Sequence, residues 1–179
     1  MKRTSCVVCK HSPLNPLFIE KTYPVILAPS LLPPESDRFS DYCLEQCNRC
    51  KCIQSVNLID PGILYENNHN ITYNTPTWKA HHSQFCEFLC DENEKQTIVE
   101  VGGFPGILAS QVIEKLPIVK YTLMDLCDKK DSLSSAIHFI KGNCEDFDYN
   151  GYDTIVMSHI FEHLYNPPLE LLKKLPNQG

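Results

Sequence analysis

The chain has 179 residues, 42% hydrophobic and 21% charged, the proportions of a folded protein with one medium domain or two small ones. Its net charge is −6: residues 1–90 carry eight residues of each sign, and residues 91–179 set eight lysines against fourteen acids. The acidic second half argues against a nucleic-acid partner, no apolar run of ~18 residues predicts a membrane span, and the basic pair Lys2-Arg3 has no apolar core behind it, so a cytoplasmic protein without a secretory leader is expected.

Residues 1–75 read as a small irregular module. Pro13, Pro16, Pro24, Pro29, Pro33 and Pro34 break every candidate helix up to Ser40. Such a segment needs a staple. Six of the ten cysteines fall before position 53, and in a reducing compartment clustered cysteines are more often metal ligands than disulfides. Cys6-Val-Val-Cys9 and Cys47-Asn-Arg-Cys50 are two C-x-x-C pairs, 37 residues apart. Each pair can present two thiolates to one tetrahedral zinc ion, which would supply folding energy that the segment otherwise lacks. Cys43 and Cys52 leave ligand choice open, because Cys43 could replace a member of the second pair. Cys86, Cys90, Cys127 and Cys144 read as structural.

Residues 76–96 read as a linker helix and a polar break. Trp78, His82, Phe85, Phe88 and Leu89 recur at helical spacing. His81 and His82 read as helix-surface residues.

From Thr97 strands alternate with helices, predicting a parallel sheet with covered faces over residues 97–179. The expected strands are Thr97–Val101, Tyr121–Met124, Ala136–Ile140 and Thr154–Ser158. Helices are expected over Ile107–Leu116 and from Pro168 to Leu175, the latter with proline at an allowed first-turn position. Within Ile98-Val-Glu100-Val-Gly102-Gly103-Phe-Pro-Gly106, an acid at a strand end precedes a glycine turn and then a helix. Glycines there let the backbone approach a ligand, and the helix N-terminus favours an anionic group such as a carboxylate. Asp125 ends the next strand, 19 residues after Gly106, where a carboxylate can accept from two ribose hydroxyls. The polar loop from Gly142 to Phe147 follows the third strand and could meet an adenine amino group.

The glycine turn, Asp125, the 143–146 loop and the run Tyr152-Asp153-Thr-Ile-Val-Met-Ser-His-Ile-Phe-Glu162-His163-Leu-Tyr-Asn-Pro resemble class I SAM-dependent methyltransferases. With the Cys6/Cys9 and Cys47/Cys50 module ahead of them, the chain resembles the subset with an N-terminal zinc-binding domain, typified by nucleotide-sugar C-methyltransferases. The resemblance covers nearly the whole chain and implies a partial Rossmann-like α/β sheet, its first four parallel strands, behind a Cys-rich zinc module. It implies S-adenosyl-L-methionine and zinc as cofactors and a small-molecule acceptor such as a nucleotide-linked sugar. By motif position, Glu100, Gly102, Gly103 and Gly106 would meet the methionine part, Asp125 the ribose, and Cys144 and Glu145 the adenine. Phe104-Pro105 departs from the small or polar residues usual in that turn. A Glu-His pair, here Glu162 and His163, and a linker tyrosine, here Tyr73, would contribute to catalysis. His163 suits a helix-capping role equally well. His159, on the other side of the strand by alternation, is expected near the cofactor.

Charge supports the same cofactor. A glutamate before the glycines suits a sulfonium and would repel the diphosphate of a dinucleotide. The fourth strand is apolar enough to be central, and the chain ends 21 residues after it, where further strands are usual in the resembled family. An unpaired strand edge would be left, so the chain reads as a fragment, a truncated reading frame, or half of an assembly that covers the edge by self-association. The competing expectation is a catalytically inactive scaffold that retains the zinc module.

Overall fold

The structure, a computed structural model, describes residues 1–26, 33–65, 75–92, 97–127 and 133–176. It divides into two compact units, Met1–His69 and Asn70–Gly179.

The first unit is more regular than its prolines suggest. Three antiparallel strands, β1 (Leu14–Pro24), β2 (Phe39–Cys47) and β3 (Ile53–Ser55), form a meander in the order β1-β2-β3. Prolines survive here because β1 is an edge strand, where a missing N–H costs no ladder bond. The β1–β2 register slips between Pro16 and Phe18 and again between Glu20 and Tyr23. The N-terminus is stitched to the chain after β3: the Met1 ammonium donates to Leu58 O at 2.8 Å, and Arg3 N donates to Val56 O at 2.8 Å. Helix α1 (Pro61–Leu64) is a single turn capped by the Asp60 side chain. Among the described residues the buried apolar cluster is Cys6, Leu14, Cys47 and Val56, with Leu58 also buried, too little to stabilise such a unit by burial alone.

The second unit begins with helix α2 (Pro76–Glu92). The apolar stripe of α2 is shifted from the expected one: Cys86 and Leu89 are buried, whereas Phe88 is 58% exposed. Next come β4 (Thr97–Val101), α3 (Ile107–Lys115), β5 (Lys120–Asp125), β6 (Ile137–Lys141), β7 (Thr154–Met157) and α4 (Pro168–Leu172). All strand pairs are parallel, in the order β6-β5-β4-β7. This is a doubly wound arrangement, whose cleft opens at the carboxyl ends of the strands.

Alternation along β4 sends Ile98 to a core shared with Cys86 and Leu89 of α2 and with Leu108, Ala109 and Val112 of α3. Val99 and Val101 face the opposite side, packing with Tyr149 and Leu171. Both faces of the sheet are therefore covered, as parallel strands require. The start of β4 is pinned to β7: Thr97 N and the Thr97 hydroxyl donate to Asp153 Oδ2 at 3.0 and 2.8 Å. No helix among the described residues is long and apolar enough to cross a membrane.

Candidate metal centre and cofactor cleft

The sulfur atoms of Cys6, Cys9, Cys47 and Cys50 all lie within 4.8 Å of one another. Across the pairs, Cys6 to Cys50 and Cys9 to Cys47 both measure 3.5 Å. Four thiolates around zinc at about 2.3 Å stand about 3.8 Å apart, so this donor set fits a tetrahedral zinc ion. The two pairs sit on turns with the same backbone wiring. Lys10 N donates to Cys6 O at 2.9 Å, and Lys51 N to Cys47 O at 3.0 Å. Cys6 N donates to His11 O at 2.8 Å, and Cys47 N to Cys52 O at 2.9 Å. Lys10 and Lys51 both adopt positive φ, 60° and 63°, which lets each chain turn away behind its second thiol. Gln54, buried in β3, holds the first turn by accepting from Val7 N at 2.8 Å and donating to Ser5 O at 3.1 Å. Cys43 and Cys52 pack against the small core instead of joining the four-sulfur group.

In the second unit the glycine turn leaves the carboxyl end of β4. Gly102 has φ +69°, and a Cβ there would lie 2.4 Å from Ile160 Cδ1. A Cβ on Gly103 would lie 2.2 Å from the Glu100 carboxyl carbon. The turn is thus threaded between Glu100 beneath and Ile160 beside it, a passage with no room for larger residues. Gly106, at φ +80°, starts α3.

Glu100 does not present a negative charge to the cleft. It is 5% exposed and accepts from the Tyr121 hydroxyl at 3.0 Å. Burial pushes its carboxyl up to about 8 against the pull of the Tyr121 bond, with the nearby Asp125 adding to the rise. At neutral pH it is then mostly protonated, whereas the sequence reading expected a carboxylate facing a cationic ligand. Its place is under the turn, where it supports Gly103.

Asp125, at the end of β5, is joined to that turn. Its Oδ2 accepts from Phe104 N at 3.3 Å and its Oδ1 from Cys127 N at 2.9 Å. Burial raises its pKa, opposed by these backbone N–H groups. Each carboxylate oxygen keeps a further lone pair for a ligand hydroxyl. In the loop after β6, Asn143 Oδ1 accepts from Glu145 N at 3.0 Å. The Glu145 carboxylate turns to the loop after β7, accepting from Tyr165 N at 3.3 Å and Asn166 N at 3.0 Å. It ties two loops together. Cys144 is half-buried and its carbonyl accepts from the Tyr149 hydroxyl at 3.0 Å.

Beyond β7, Phe161–His163 form a 3-10 turn. Glu162 reaches back to His159, with Oε1 3.4 Å from Nδ1. His159 holds φ +55°, an uncommon conformation for a residue with a Cβ. Tyr73 lies outside the described residues. Trp78 and His81, read from the sequence only as helix residues, and Ser158, read only as a strand end, also meet at this end of the sheet. His81 Nε2 lies 3.0 Å from Ser158 Oγ, and the Trp78 ring packs on His81 and His159 at centroid distances of 5.3 and 5.0 Å. His81 is therefore not simply a helix-surface residue. The available signal was a histidine pair inside the otherwise apolar stripe running from Trp78 to Phe85.

No family model and no curated protein matches the chain. Among solved structures it is similar over part of its length to the plantazolicin methyltransferase BpumL in complex with a triazolic desmethylPZN analog and SAH. That similarity has 22% identity, covers 59% of this chain and 46% of that one, and has a TM-score of 0.46. The chain is also similar to PigF with SAH, at 16% identity, 62% and 44% coverage and a TM-score of 0.42. A third is the S-adenosylmethionine-dependent methyltransferase SibL in its apo form, at 15% identity, 57% and 36% coverage and a TM-score of 0.40. The chain spans less than half the length of each of these proteins.

Proposed function

We propose that the second unit binds S-adenosyl-L-methionine at the carboxyl ends of β4 and β5 and serves methyl transfer to a small acceptor. The observation that carries this reading is the 3.3 Å bond from Phe104 N to Asp125 Oδ2. It holds the glycine turn and the acid of the neighbouring strand as one construction, the pairing a nucleoside ligand needs. The Gly102–Gly103 passage, where a Cβ would collide on either side, supports close backbone approach by that ligand.

When bound, the sulfonium supplies an electrophilic methyl group. Asp125 would accept from the ribose hydroxyls at both oxygens in its ionised form, which burial opposes. The backbone of the turn would border the methionine part, with Glu100 acting from below as its support. The 143–146 loop would border the adenine, fixed by the bonds of Glu145 to Tyr165 N and Asn166 N. Glu162 and His163 are proposed on the acceptor side, and Tyr73 keeps its proposed role on sequence grounds alone. Zinc at Cys6, Cys9, Cys47 and Cys50 would have a structural part, since four thiolates leave no open position for chemistry. A nucleotide-linked sugar is the proposed acceptor, and self-association along β7 is a further proposal.

The test is calorimetric titration of the zinc-loaded chain with SAM and SAH. Saturable binding that Asp125→Ala weakens is expected. No heat at millimolar ligand, from a chain that keeps its metal, would favour the non-catalytic scaffold instead.

A further inference from the structure

We propose that Ser158 and His81 form a proton-accepting pair on the acceptor side of the cleft, an inference that rests on the methyl-transfer reading above. The register places the pair. Val101 is the parallel partner of Met157, so Ser158 leaves β7 at the level where Gly102 leaves β4. Ile160, two residues on, lies against Gly102. Ser158 therefore stands beside the glycine turn at the mouth of the sheet. The amino-terminal half of α2 comes to the same edge and sets His81 Nε2 at 3.0 Å from the Ser158 hydroxyl.

The His81 ring lies 5.6 Å from that of His82 and 5.6 Å from that of His159. Trp78 and Phe85 close the apolar sides, at 5.3 and 5.9 Å. His82 faces His81 from its own helix and His159 from the loop after β7. Glu162 stands behind His159. Both His81 and Ser158 are half-buried, open enough to meet a ligand.

The chemistry suits an acceptor that reacts through a protonated oxygen or nitrogen. As that atom bonds to the methyl carbon, the carbon–sulfur bond of the sulfonium breaks and its electron pair stays on the thioether sulfur. The acceptor's proton passes to Ser158 Oγ, and the Ser158 proton passes to His81 Nε2. The products are the methylated acceptor, a neutral thioether and an imidazolium, so charge and atoms balance. In this role Ser158 touches the acceptor and His81 stores the proton.

The test uses nitrogen-detected NMR of the imidazoles in the zinc-loaded full chain, with S-adenosylhomocysteine as the probe. His81→Gln assigns the signal, and His138, on the exposed side of β6, is the control. His81 is expected as the Nδ1–H tautomer with Nε2 accepting. Ser158→Ala should shift its Nε2 resonance, and Ser158→Thr, which keeps the hydroxyl, should restore it. The probe should move His81 together with the Gly102 and Asp125 amides and leave His138 in place. A proton found on Nε2, or no response of His81 to Ser158→Ala, overturns the pair while leaving the cofactor reading intact. Movement of Gly102 and Asp125 with none at His81 also overturns it. No movement at Gly102 or Asp125 overturns the cofactor reading, and the pair's role with it.

Discussion

Tyr121 donates its hydroxyl hydrogen to the Glu100 carboxyl at 3.0 Å, inside the helix-covered face of the sheet. The bond joins adjacent strands β4 and β5 directly below the glycine turn, so the support of that turn is sensitive to the protonation of one buried acid.

Glu100 goes from an ordinary value of 4.5 to about 8 on folding. The folded chain therefore holds a proton that the unfolded chain releases between those values, and stability falls as pH rises through that window. The loss is at most roughly 1.4 kcal/mol per pH unit. Glu100→Gln keeps the shape and an acceptor for Tyr121 without the titration. Thermal unfolding at pH 5 and pH 8 should show a smaller stability difference in the variant, with the variant the more stable protein at pH 8. Equal pH dependence in the two proteins would contradict the assignment.

Gly102 and Gly151 separate backbone strain from close approach. Both have positive φ, +69° and +85°, but a Cβ at Gly102 meets Ile160 Cδ1 at 2.4 Å while one at Gly151 meets nothing within 4 Å. Alanine at either position should cost about 1–2 kcal/mol for the left-handed backbone. Gly102→Ala should in addition weaken SAH binding about tenfold or more by displacing Ile160 and the turn, whereas Gly151→Ala should bind SAH as the parent does. Calorimetry and thermal melts on both variants read the two effects apart.

The four-sulfur group predicts a metal content near one zinc per chain. Cys6→Ser or Cys47→Ser should abolish it, and a strong chelator should expose the β1–β2 amides to hydrogen exchange while β4 and β5 stay protected. Structural zinc contributes on the order of 10 kcal/mol or more to folding, far beyond what the small buried core of this unit supplies. Gln54→Ala should weaken the metal site without touching a ligand, because it strands Val7 N–H and Ser5 C=O at about 1–3 kcal/mol each.

Asp125 carries the ligand prediction with a pH signature. Burial raises its pKa, so SAH affinity should begin to fall at a pH above the ordinary carboxylate range as the medium is acidified. Asp125→Asn should bind more weakly, by roughly 10- to 100-fold for one or two lost charge-assisted hydrogen bonds, and that weakness should be independent of pH in the same range. Identical titrations of parent and variant would remove Asp125 from the site.

Much of the second unit was readable in one dimension. The β-branched run before Gly102, the stripe Leu108, Val112 and Leu116, and the short apolar segments at Tyr121, Ile137 and Thr154 each carry a local period, and local period is what backbone geometry reads. The two C-x-x-C pairs were readable for a similar reason, since short spacing brings two thiols to one side of a turn. The meander of the first unit was not. Its first two strands pair across a long connection, its strand prolines lie on the edge strand, and its core is largely sulfur, so no apolar alternation announces it.

Sequence alone determined the alternation of strands and helices, the glycine turn with acids on either side, and the cysteine spacing, because each depends on neighbours a few residues apart. Only the tertiary structure decided that Glu100 is buried and mostly protonated at neutral pH, that Glu145 fastens two loops, and that His81 meets Ser158 across 77 positions of chain. Those properties follow from which surfaces lose water and which groups come together when distant segments pack, and neither burial nor distance is written in the local order of residues.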